Sequence, residues 1–239
     1  MSEEGAPTRP RASVYVDGLN LYRRLLQGFP EHKWLDVVAL MAALLPEYDV
    51  VRVRYFTAII KVMPGADVSS PQRQQAYLRA LAASSKVSIH LGKFRIDKRV
   101  MPLHPTVFEA DGSPRRVVVK KAEEKGSDVA LASYLMLDAM RGEEDLYALC
   151  SNDSDLVTPL KLVGSELGRA VGLISPVSEK RASNELKQTA PALHRQITPH
   201  LLGDCQLPEE VMDAVGTVRR PPKWAKTSRS PAEARLPNQ

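Results

Sequence analysis

The chain has 239 residues, of which 44% are hydrophobic and 26% are charged, a composition that suits one globular domain with short tails. Its two cysteines, Cys150 and Cys205, exclude a cysteine-rich metal site or disulfide scaffold. Residues 1–11 lack the apolar core of a signal peptide, and no run approaches the ~18 apolar residues of a membrane span. We therefore expect a cytoplasmic protein that makes no use of a membrane.

The net charge of +5 is concentrated at the C-terminal end of the chain. Residues 219–239 hold six basic residues and one acid, whereas residues 1–218 hold 27 of each sign. Four prolines and few large apolar residues predict that residues 219–239 form a disordered basic tail. Such a tail either raises the affinity for a nucleic acid without reading its sequence, or merely extends the chain.

Apolar runs rich in β-branched residues alternate with segments of helical periodicity. The predicted strands are residues 12–16, 50–60, 86–94, 146–150 and 170–175. The predicted helices are residues 18–27, 35–45, 71–84, 127–140 and 155–167, with shorter helical pieces at 183–190 and 192–196. This order predicts an α/β fold with a mostly parallel sheet and helices on both faces.

The alternation of strands and helices is interrupted at residues 95–121, where two basic, β-rich stretches flank Asp111-Gly112. We interpret this segment as a hairpin insertion or an irregular flap. The predicted organisation is a flexible N-terminus at 1–11, an α/β domain at 12–200 with this insertion, an extension at 201–218, and the basic tail. The extension either packs on the domain or docks a partner.

Acidic residues follow two of the predicted strands. Asp17 ends the first strand, Asp153 and Asp155 follow the strand at 146–150, and Asp128 lies in the first turn of a helix. Ligands bind at the carboxyl ends of parallel strands, and clustered carboxylates are costly unless a cation or a proton shares their charge. Mg²⁺ and Mn²⁺ prefer such oxygen ligands, which indicates phosphoryl chemistry. The alternative is structural: a helix cap at Asp128 and a turn at Asp17.

Other catalytic arrangements find little support. The five histidines are scattered without the spacing of a zinc site, and no glycine-rich phosphate loop followed by Lys-Ser/Thr is present.

Three segments in this order resemble the NYN domain, which belongs to the PIN-like nuclease group. They are V-D-G-L-N-L at 16–21, K-G-S-D-V-A-L at 125–131 and S-N-D-S-D-L at 151–156. The resemblance spans about residues 13–176. The chain departs from the family pattern at Ser127, where valine is usual, and at Asn152, where glycine is usual. Asparagine tolerates a positive φ, so the turn can survive the second change.

The resemblance implies a PIN-like three-layer fold with a mostly parallel sheet of about five strands, and metal-dependent cleavage of RNA. It assigns the binding of Mg²⁺ or Mn²⁺ to Asp17, Asp128 and Asp153. It implies a further catalytic acid at Asp155, which is either a metal ligand or a residue behind the ligands, and we expect this acid to orient the attacking water. We expect four polar residues near these acids to contact the substrate: Asn20, Ser151, Asn152 and Lys125. Glu124 either enters the site or is solvated.

The segment 93–125 carries nine basic residues and five acids, so it is a candidate surface for single-stranded RNA. Its expected contacts are Arg115, Arg116, Lys120 and Lys121. Phe94 and Phe108 are placed to stack on bases. The alternative is a solvated hairpin with two core phenylalanines. The helix at 35–45 belongs either to the core or to the interface of a homo-oligomer.

The preferred hypothesis is a metal-dependent ribonuclease. One alternative is a non-catalytic RNA-binding or regulatory module that keeps the metal pocket. Another is a different Mg²⁺-dependent phosphohydrolase, since Asp153 and Asp155 have the spacing of a nucleophile and a second acid. The motif contexts of Asp17 and Asp128 favour the nuclease.

Overall fold

The computed structural model describes residues 9–62, 65, 67–190 and 192–225. Its strands are β1 (Arg11–Asp17), β2 (Asp49–Ala58), β3 (Val87–Pro102), β4 (Arg116–Lys125), β5 (Leu146–Cys150), β6 (Val171–Ser175), β7 (Leu193–Gln196), β8 (Glu210–Asp213) and β9 (Gly216–Arg219). Its α-helices are α1 (Gly18–Leu21), α2 (Val37–Leu44), α3 (Ser70–Ala82), α4 (Ser127–Arg141), α5 (Val157–Ser165), α6 (Asn184–Thr189) and α7 (Pro199–Asp204). None of the helices in these ranges is long and apolar enough to cross a bilayer.

Seven strands form one sheet in the order β4-β3-β2-β1-β5-β6-β7. Six of them are mutually parallel, and β4 runs antiparallel to β3. The predicted mixed α/β class is confirmed, but the sheet has seven strands rather than about five. The two additional strands are β4, which comes from the insertion, and β7.

The prediction of a helical piece at 192–196 is wrong. Leu193–Gln196 forms the edge strand β7, which pairs parallel with β6. Only Leu193 of its four residues is fully buried, so the segment is too short and too polar to show a strand period. The neighbouring piece at 183–190 does form a helix, α6.

Side chains of the sheet pack into a hydrophobic core on each face. Along β1, Val14 and Val16 belong to one core and Tyr15 to the other, because successive side chains of a strand point to opposite faces. The first core includes residues of α2 and α3, and the second includes residues of α4, α5 and α6. The result is three layers, with β1 in the middle of the central one.

After β1 the chain adds β2, β3 and β4 on one side of it, and then crosses back to add β5, β6 and β7 on the other side. Val16 lies beside Cys150 in the β1–β5 register, so both strands end at the same level. Such a switch point opens a crevice beyond the carboxyl ends of the strands. Asp17 and the segment that follows Cys150 both enter this crevice.

The C-terminal part packs on the domain. Trp34 Nε1 donates to the Pro208 carbonyl at 2.7 Å, and β8 and β9 pair as a small hairpin. The prediction of a disordered tail from residue 219 is wrong for residues 219–225, because Arg220 is 6% exposed and Trp224 joins the first core at 9%. Buried Trp224 anchors this segment despite its basic, proline-rich composition, together with Arg220, which donates to the Glu31 carbonyl at 2.7 Å. Residues 226–239 lie outside the described residues.

The chain termini and the insertion have sharper limits in the structure. β1 begins at Arg11, so the predicted flexible N-terminus is too long by one residue at least.

The insertion forms an antiparallel hairpin of β3 and β4, in which the paired register runs from Lys93 beside Lys125 to Pro102 beside Arg116. Phe108, near the tip of this hairpin, is 65% exposed, which contradicts the alternative of a core role for it.

Candidate functional site

Asp17 is fixed in the crevice by groups on both sides of it. Its Oδ1 accepts the Asn20 backbone N–H at 2.9 Å, as the N-cap of α1, and its Oδ2 accepts the Ser151 hydroxyl at 2.9 Å. The following residue must be small, because a Cβ on Gly18 would lie 2.6 Å from the Tyr55 ring and 2.8 Å from the Phe56 carbonyl oxygen. The sequence D-G at this strand end therefore brings α1 directly against β2.

Asp128 is placed by the junction between β4 and α4. Gly126 has φ of 98°, a conformation that favours glycine, and it turns the chain into the helix. The Glu124 carboxylate then accepts the Ser127 backbone N–H at 3.0 Å and the Ser127 hydroxyl at 2.7 Å. Glu124 thus holds the first turn of α4, and Asp128 follows on that turn.

Asp153 is linked to Asp17 through one serine. The Ser151 hydroxyl donates to Asp17 and also accepts the Asp153 backbone N–H at 3.1 Å. Asp153 Oδ1 accepts the Asp155 backbone N–H at 3.0 Å and caps a short 3₁₀ turn, Ser154–Leu156. Ser151, which is fully buried, therefore sets the distance between the two acids.

The three acids meet in space: Asp17, Asp128 and Asp153 each place a carboxylate oxygen within 4.8 Å of the others. Burial raises the pKa of Asp17, and the charge of Asp153 adds to this effect. Burial together with the charges of Asp17 and Asp153 raises the pKa of Asp128 to about 6. Within the described part of the chain, no ion pair neutralises any of the three. Uncompensated carboxylates at this spacing fit a divalent cation.

The acids lie in a cavity of about 580 Å³, which we call the acidic cavity. The charged residues that line it differ in solvent exposure: five acids are buried or partly buried, and four bases are exposed. The acids are Asp17, Glu123, Glu124, Asp128 and Asp153. The bases are Arg23, Arg24, Lys121 and Lys125. The acidic cavity therefore combines an anionic floor with a cationic rim, an arrangement that suits a metal below and a phosphodiester above.

Two of these bases are already paired at the rim. Glu123 accepts Lys121 at 2.6 Å and Lys125 at 3.2 Å, and the hydrogen bonds from these lysines lower the pKa of Glu123 to about 2. Arg23 and Arg24 come from a different element, the π-helical turn Tyr22–Leu26 that continues α1. Sequence reasoning missed this arginine pair, although its position directly after the D-G-L-N motif was the available signal.

Asn20 and Asn152 act within the loops that surround the acids. Asn20 Oδ1 accepts the Asn152 backbone N–H at 3.3 Å. The Asn152 side chain accepts the Ser183 N–H at 2.8 Å and donates to the Arg181 carbonyl at 3.4 Å, so it ties this turn to the segment before α6. The described residues include no non-glycine residue with positive φ, so Asn152 forms this turn without adopting the left-handed conformation that asparagine tolerates.

Several predicted residues lie away from the three acids. Asp155 is exposed and stands outside the three-carboxylate cluster. Arg115 pairs with Glu109 at 3.7 Å, and Arg116 donates to the Val100 carbonyl at 3.4 Å, both toward the tip of the hairpin. These two arginines and Lys120 do not line the acidic cavity, in contrast to Lys121 and Lys125.

A second cavity of about 250 Å³ adjoins the first, and Leu19 lines both. Four aromatic side chains surround it, so we call it the aromatic cavity. They are Tyr22, Tyr55, Tyr77 and Trp224.

Comparisons with known proteins identify the family of this chain and one solved structure with the same fold. The NYN domain family matches residues 11–195. The 6-hydroxy-3-succinoylpyridine 3-monooxygenase HspA of Pseudomonas putida is 28% identical over 239 residues, covering 90% of this chain and 75% of that protein. A crystal structure of a protein of unknown function from Vibrio parahaemolyticus shares the fold, with a TM-score of 0.51 and 18% identity over 84% of this chain and 99% of that one. Because the family match spans most of its length, this chain belongs to the NYN domain family.

Proposed function

We propose that this protein is a metal-dependent ribonuclease that hydrolyses phosphodiester bonds of single-stranded RNA. The observation that carries the proposal is the cluster of Asp17, Asp128 and Asp153, with carboxylate oxygens within 4.8 Å of one another at the switch point of the sheet. Membership of the NYN domain family, which is nuclease-like, supports the same reaction class.

The three acids would hold Mg²⁺ or Mn²⁺, because their oxygens suit hard cations and their charges lack another partner among the described residues. When bound, such an ion activates water and offsets the charge that develops on a phosphodiester. Ser151 and the Asn20 N–H keep the Asp17 carboxylate oriented, since each donates to one of its two oxygens. Asp155, whose backbone N–H donates to the Asp153 carboxylate at 3.0 Å, would orient an attacking water.

The rim of the acidic cavity would bind the RNA backbone. Four bases line the acidic cavity and are exposed, so they would contact phosphates on either side of the reacting one: Arg23, Arg24, Lys121 and Lys125. The antiparallel hairpin of β3 and β4 extends this basic surface away from the site. A flexible single strand can follow such a curved rim more easily than a duplex.

The test is cleavage of labelled single-stranded RNA, structured RNA and DNA in Mn²⁺, Mg²⁺ or chelator. We expect metal-dependent cleavage of single-stranded RNA that Asp17→Asn and Asp153→Asn each reduce at least 100-fold. Asp204→Asn is the matched control, because its side chain is 62% exposed and lies on α7, outside the acidic cavity. Activity that survives both site substitutions would refute the proposed site. Absence of cleavage by the folded, metal-loaded protein would favour a non-catalytic RNA-binding module.

A second candidate function is the oxidation of a small heteroaromatic compound. The Pseudomonas putida relative is named as a monooxygenase of 6-hydroxy-3-succinoylpyridine, and the aromatic cavity beside the acids is the observation here that favours a ring-shaped substrate. Incubation with that compound, oxygen and an electron donor tests it, with product detection by mass spectrometry. A hydroxylated product that requires intact protein would support oxidation over RNA cleavage.

A further inference from the structure

We propose that the aromatic cavity binds one planar heteroaromatic ring that carries a negatively charged group. The cavity is enclosed by the turn that follows α1, by β2, by α3 and by the C-terminal segment around Trp224. Two parts of the chain more than 200 residues apart, represented by Gly18 and Trp224, thus both line this cavity.

The walls present aromatic faces and edges at a spacing suited to a ring. Trp224 and Tyr77 meet edge to face with centroids 6.3 Å apart, and Tyr77 meets Tyr55 in the same way at 6.3 Å. Aromatic pairs favour such geometries, which leave ring faces available to a further π-system. Sites for drug-sized ligands occupy roughly 300–1,000 Å³, so a cavity of about 250 Å³ suits a single small ring system.

The charged lining favours an anion. Three bases, Lys33, Arg73 and Lys223, line the cavity together with one acid, Asp67. Asp67 accepts both Arg73, at 2.6 Å, and Lys223, so this carboxylate is fully engaged and its pKa lies below the ordinary value. Two positive charges are left in excess, which an anionic substituent on the ring would balance.

Lys33 is the base best placed to meet that substituent. Its Nζ lies 3.3 Å from the Tyr22 hydroxyl oxygen and 5.1 Å from the Tyr22 ring centroid. In the described residues Lys33 has no carboxylate within ion-pair distance, unlike Arg73 and Lys223. A ring seated against Tyr22 would therefore bring its negative group to Lys33 without displacing an existing ion pair.

The aromatic cavity is also coupled in space to the acids. Leu19 lines both cavities, and the Tyr55 ring packs directly against Gly18, the residue that follows Asp17. A nucleotide of an RNA strand could place its base here while a neighbouring phosphate reaches the acids; this source of the ring rests on the proposed ribonuclease function. A free heteroaromatic acid is the other source, and binding of the ring itself is independent of RNA cleavage.

Intrinsic fluorescence gives a direct test, because both tryptophans of the chain report on this region. Trp224 lines the cavity, and the centroid of the Trp34 ring lies 6.4 Å from the centroid of the Trp224 ring. We expect saturable quenching by adenosine or uridine 5′-monophosphate, or by pyridine-3-carboxylate, and none by ribose 5-phosphate, which has the charge but lacks the ring. Binding of nucleotides identifies RNA as the source, and binding of the pyridine acid alone identifies a free heterocycle. The proposal is overturned if ribose 5-phosphate quenches the fluorescence as strongly as the ring compounds do, or if none of these ligands quenches it.

Substitutions separate this site from the acids. We expect Tyr22→Leu and Lys33→Ala each to weaken ring binding at least 10-fold, while Lys61→Ala, an exposed lysine outside the cavity lining, leaves it unchanged. Circular dichroism must show that the variants are folded. Unchanged affinity in both site variants refutes the assignment. Asp17→Asn should abolish cleavage yet retain ring binding, so failure of the ribonuclease proposal and failure of this one give different results.

Discussion

The Tyr15 hydroxyl donates to Asp138 Oδ2 at 2.8 Å and thereby joins the central strand β1 to helix α4. The same carboxylate accepts Arg54 Nε at 2.6 Å and Arg54 Nη2 at 2.9 Å. Burial alone would raise the pKa of Asp138, but the hydrogen bonds from Arg54 and Tyr15 outweigh it, and the pKa lies below its ordinary value. Asp17 and Asp128 stand on these same two elements, so this buried contact helps to fix the distance between them.

Replacement of Tyr15 by phenylalanine should therefore weaken both the fold and the metal site. We expect a loss of about 1.5–3 kcal/mol in the free energy of unfolding, the usual value for a hydrogen bond to a charged group. Because α4 would then move more freely against β1, the affinity for Mn²⁺ should fall several-fold. Urea denaturation and isothermal titration calorimetry measure the two effects.

Tyr147→Phe is the matched control for this prediction. Tyr147 is also fully buried, but its hydroxyl makes longer contacts of 3.3 Å, with the Asp138 carbonyl and the Glu144 N–H. We expect a smaller loss of stability and an unchanged affinity for Mn²⁺. An equal effect of the two substitutions on Mn²⁺ affinity would show that the Tyr15–Asp138 contact has no specific role at the site.

The raised pKa values of Asp17 and Asp128 predict how pH and metal act on stability. In the metal-free protein the folded state holds protons that the unfolded chain has released, so the contribution of Asp128 to stability is lost as pH rises from about 4 through about 6. The raised pKa of Asp17 acts in the same direction. A divalent cation removes this penalty. We expect Mn²⁺ to raise the melting temperature clearly at pH about 7.5 and little at pH about 4.5. An equal increase at both pH values would contradict the assignment of the cation to these acids.

Asp128→Asn should stabilise the metal-free protein while it abolishes function. Asparagine removes one of the clustered charges; because Asp128 is partly solvated, we expect a gain of only ~1 kcal/mol, or about 2–4 °C in melting temperature. The same variant should lose both cleavage and stabilisation by Mn²⁺. Differential scanning calorimetry with and without Mn²⁺ measures this, with Asp204→Asn as the control, which removes an exposed carboxylate that pairs with His200 at 2.7 Å away from the acidic cavity. A lower melting temperature in chelator would mean that Asp128 has a structural role instead.

Gly18→Ala should disturb the strand end that carries Asp17. The new Cβ would lie 2.8 Å from the Phe56 carbonyl oxygen, which is backbone and cannot rotate away. Overpacking of this kind costs about 1–3 kcal/mol. Gly28→Ala is the control, because no atom lies within 4 Å of its added Cβ. Chemical denaturation compares the two, and equal stability would show that β2 yields at this contact.

The acidic motifs could be predicted to meet because their positions depend on topology alone. Parallel strands end at one edge of the sheet, so Asp17 and the acids after β5 had to lie close together once the alternation of strands and helices was recognised. The segments at 146–150 and at 127–140 were also predicted nearly to the residue, since each is long or strongly apolar.

Features that depend on distant contacts were not predictable. β7 is a strand because β6 offers an open edge, and its own four residues carry little pattern. Trp224 is buried because Trp34 and Tyr77 receive it, in a segment whose composition otherwise resembles a disordered tail. Arg23 and Arg24 belong to the π-helical turn after α1 and line the acidic cavity, and the motif just before them in the chain signals this position without fixing which way the pair faces.

The arginine pair yields the last prediction, which compares two candidate RNA-binding surfaces. Arg23 and Arg24 line the acidic cavity, whereas Arg115 and Arg116 lie toward the hairpin tip and outside that lining. We expect the double substitution of Arg23 and Arg24 by alanine to weaken RNA binding at least 10-fold and to lower the dependence of affinity on salt concentration, because contacts to phosphates release counterions. The matched double substitution of Arg115 and Arg116 removes the same charge and should have a smaller effect. Fluorescence anisotropy at several salt concentrations measures both, in the Asp17→Asn background so that the RNA stays intact. A larger effect at Arg115 and Arg116 would place the main RNA contact on the hairpin rather than at the rim of the acidic cavity.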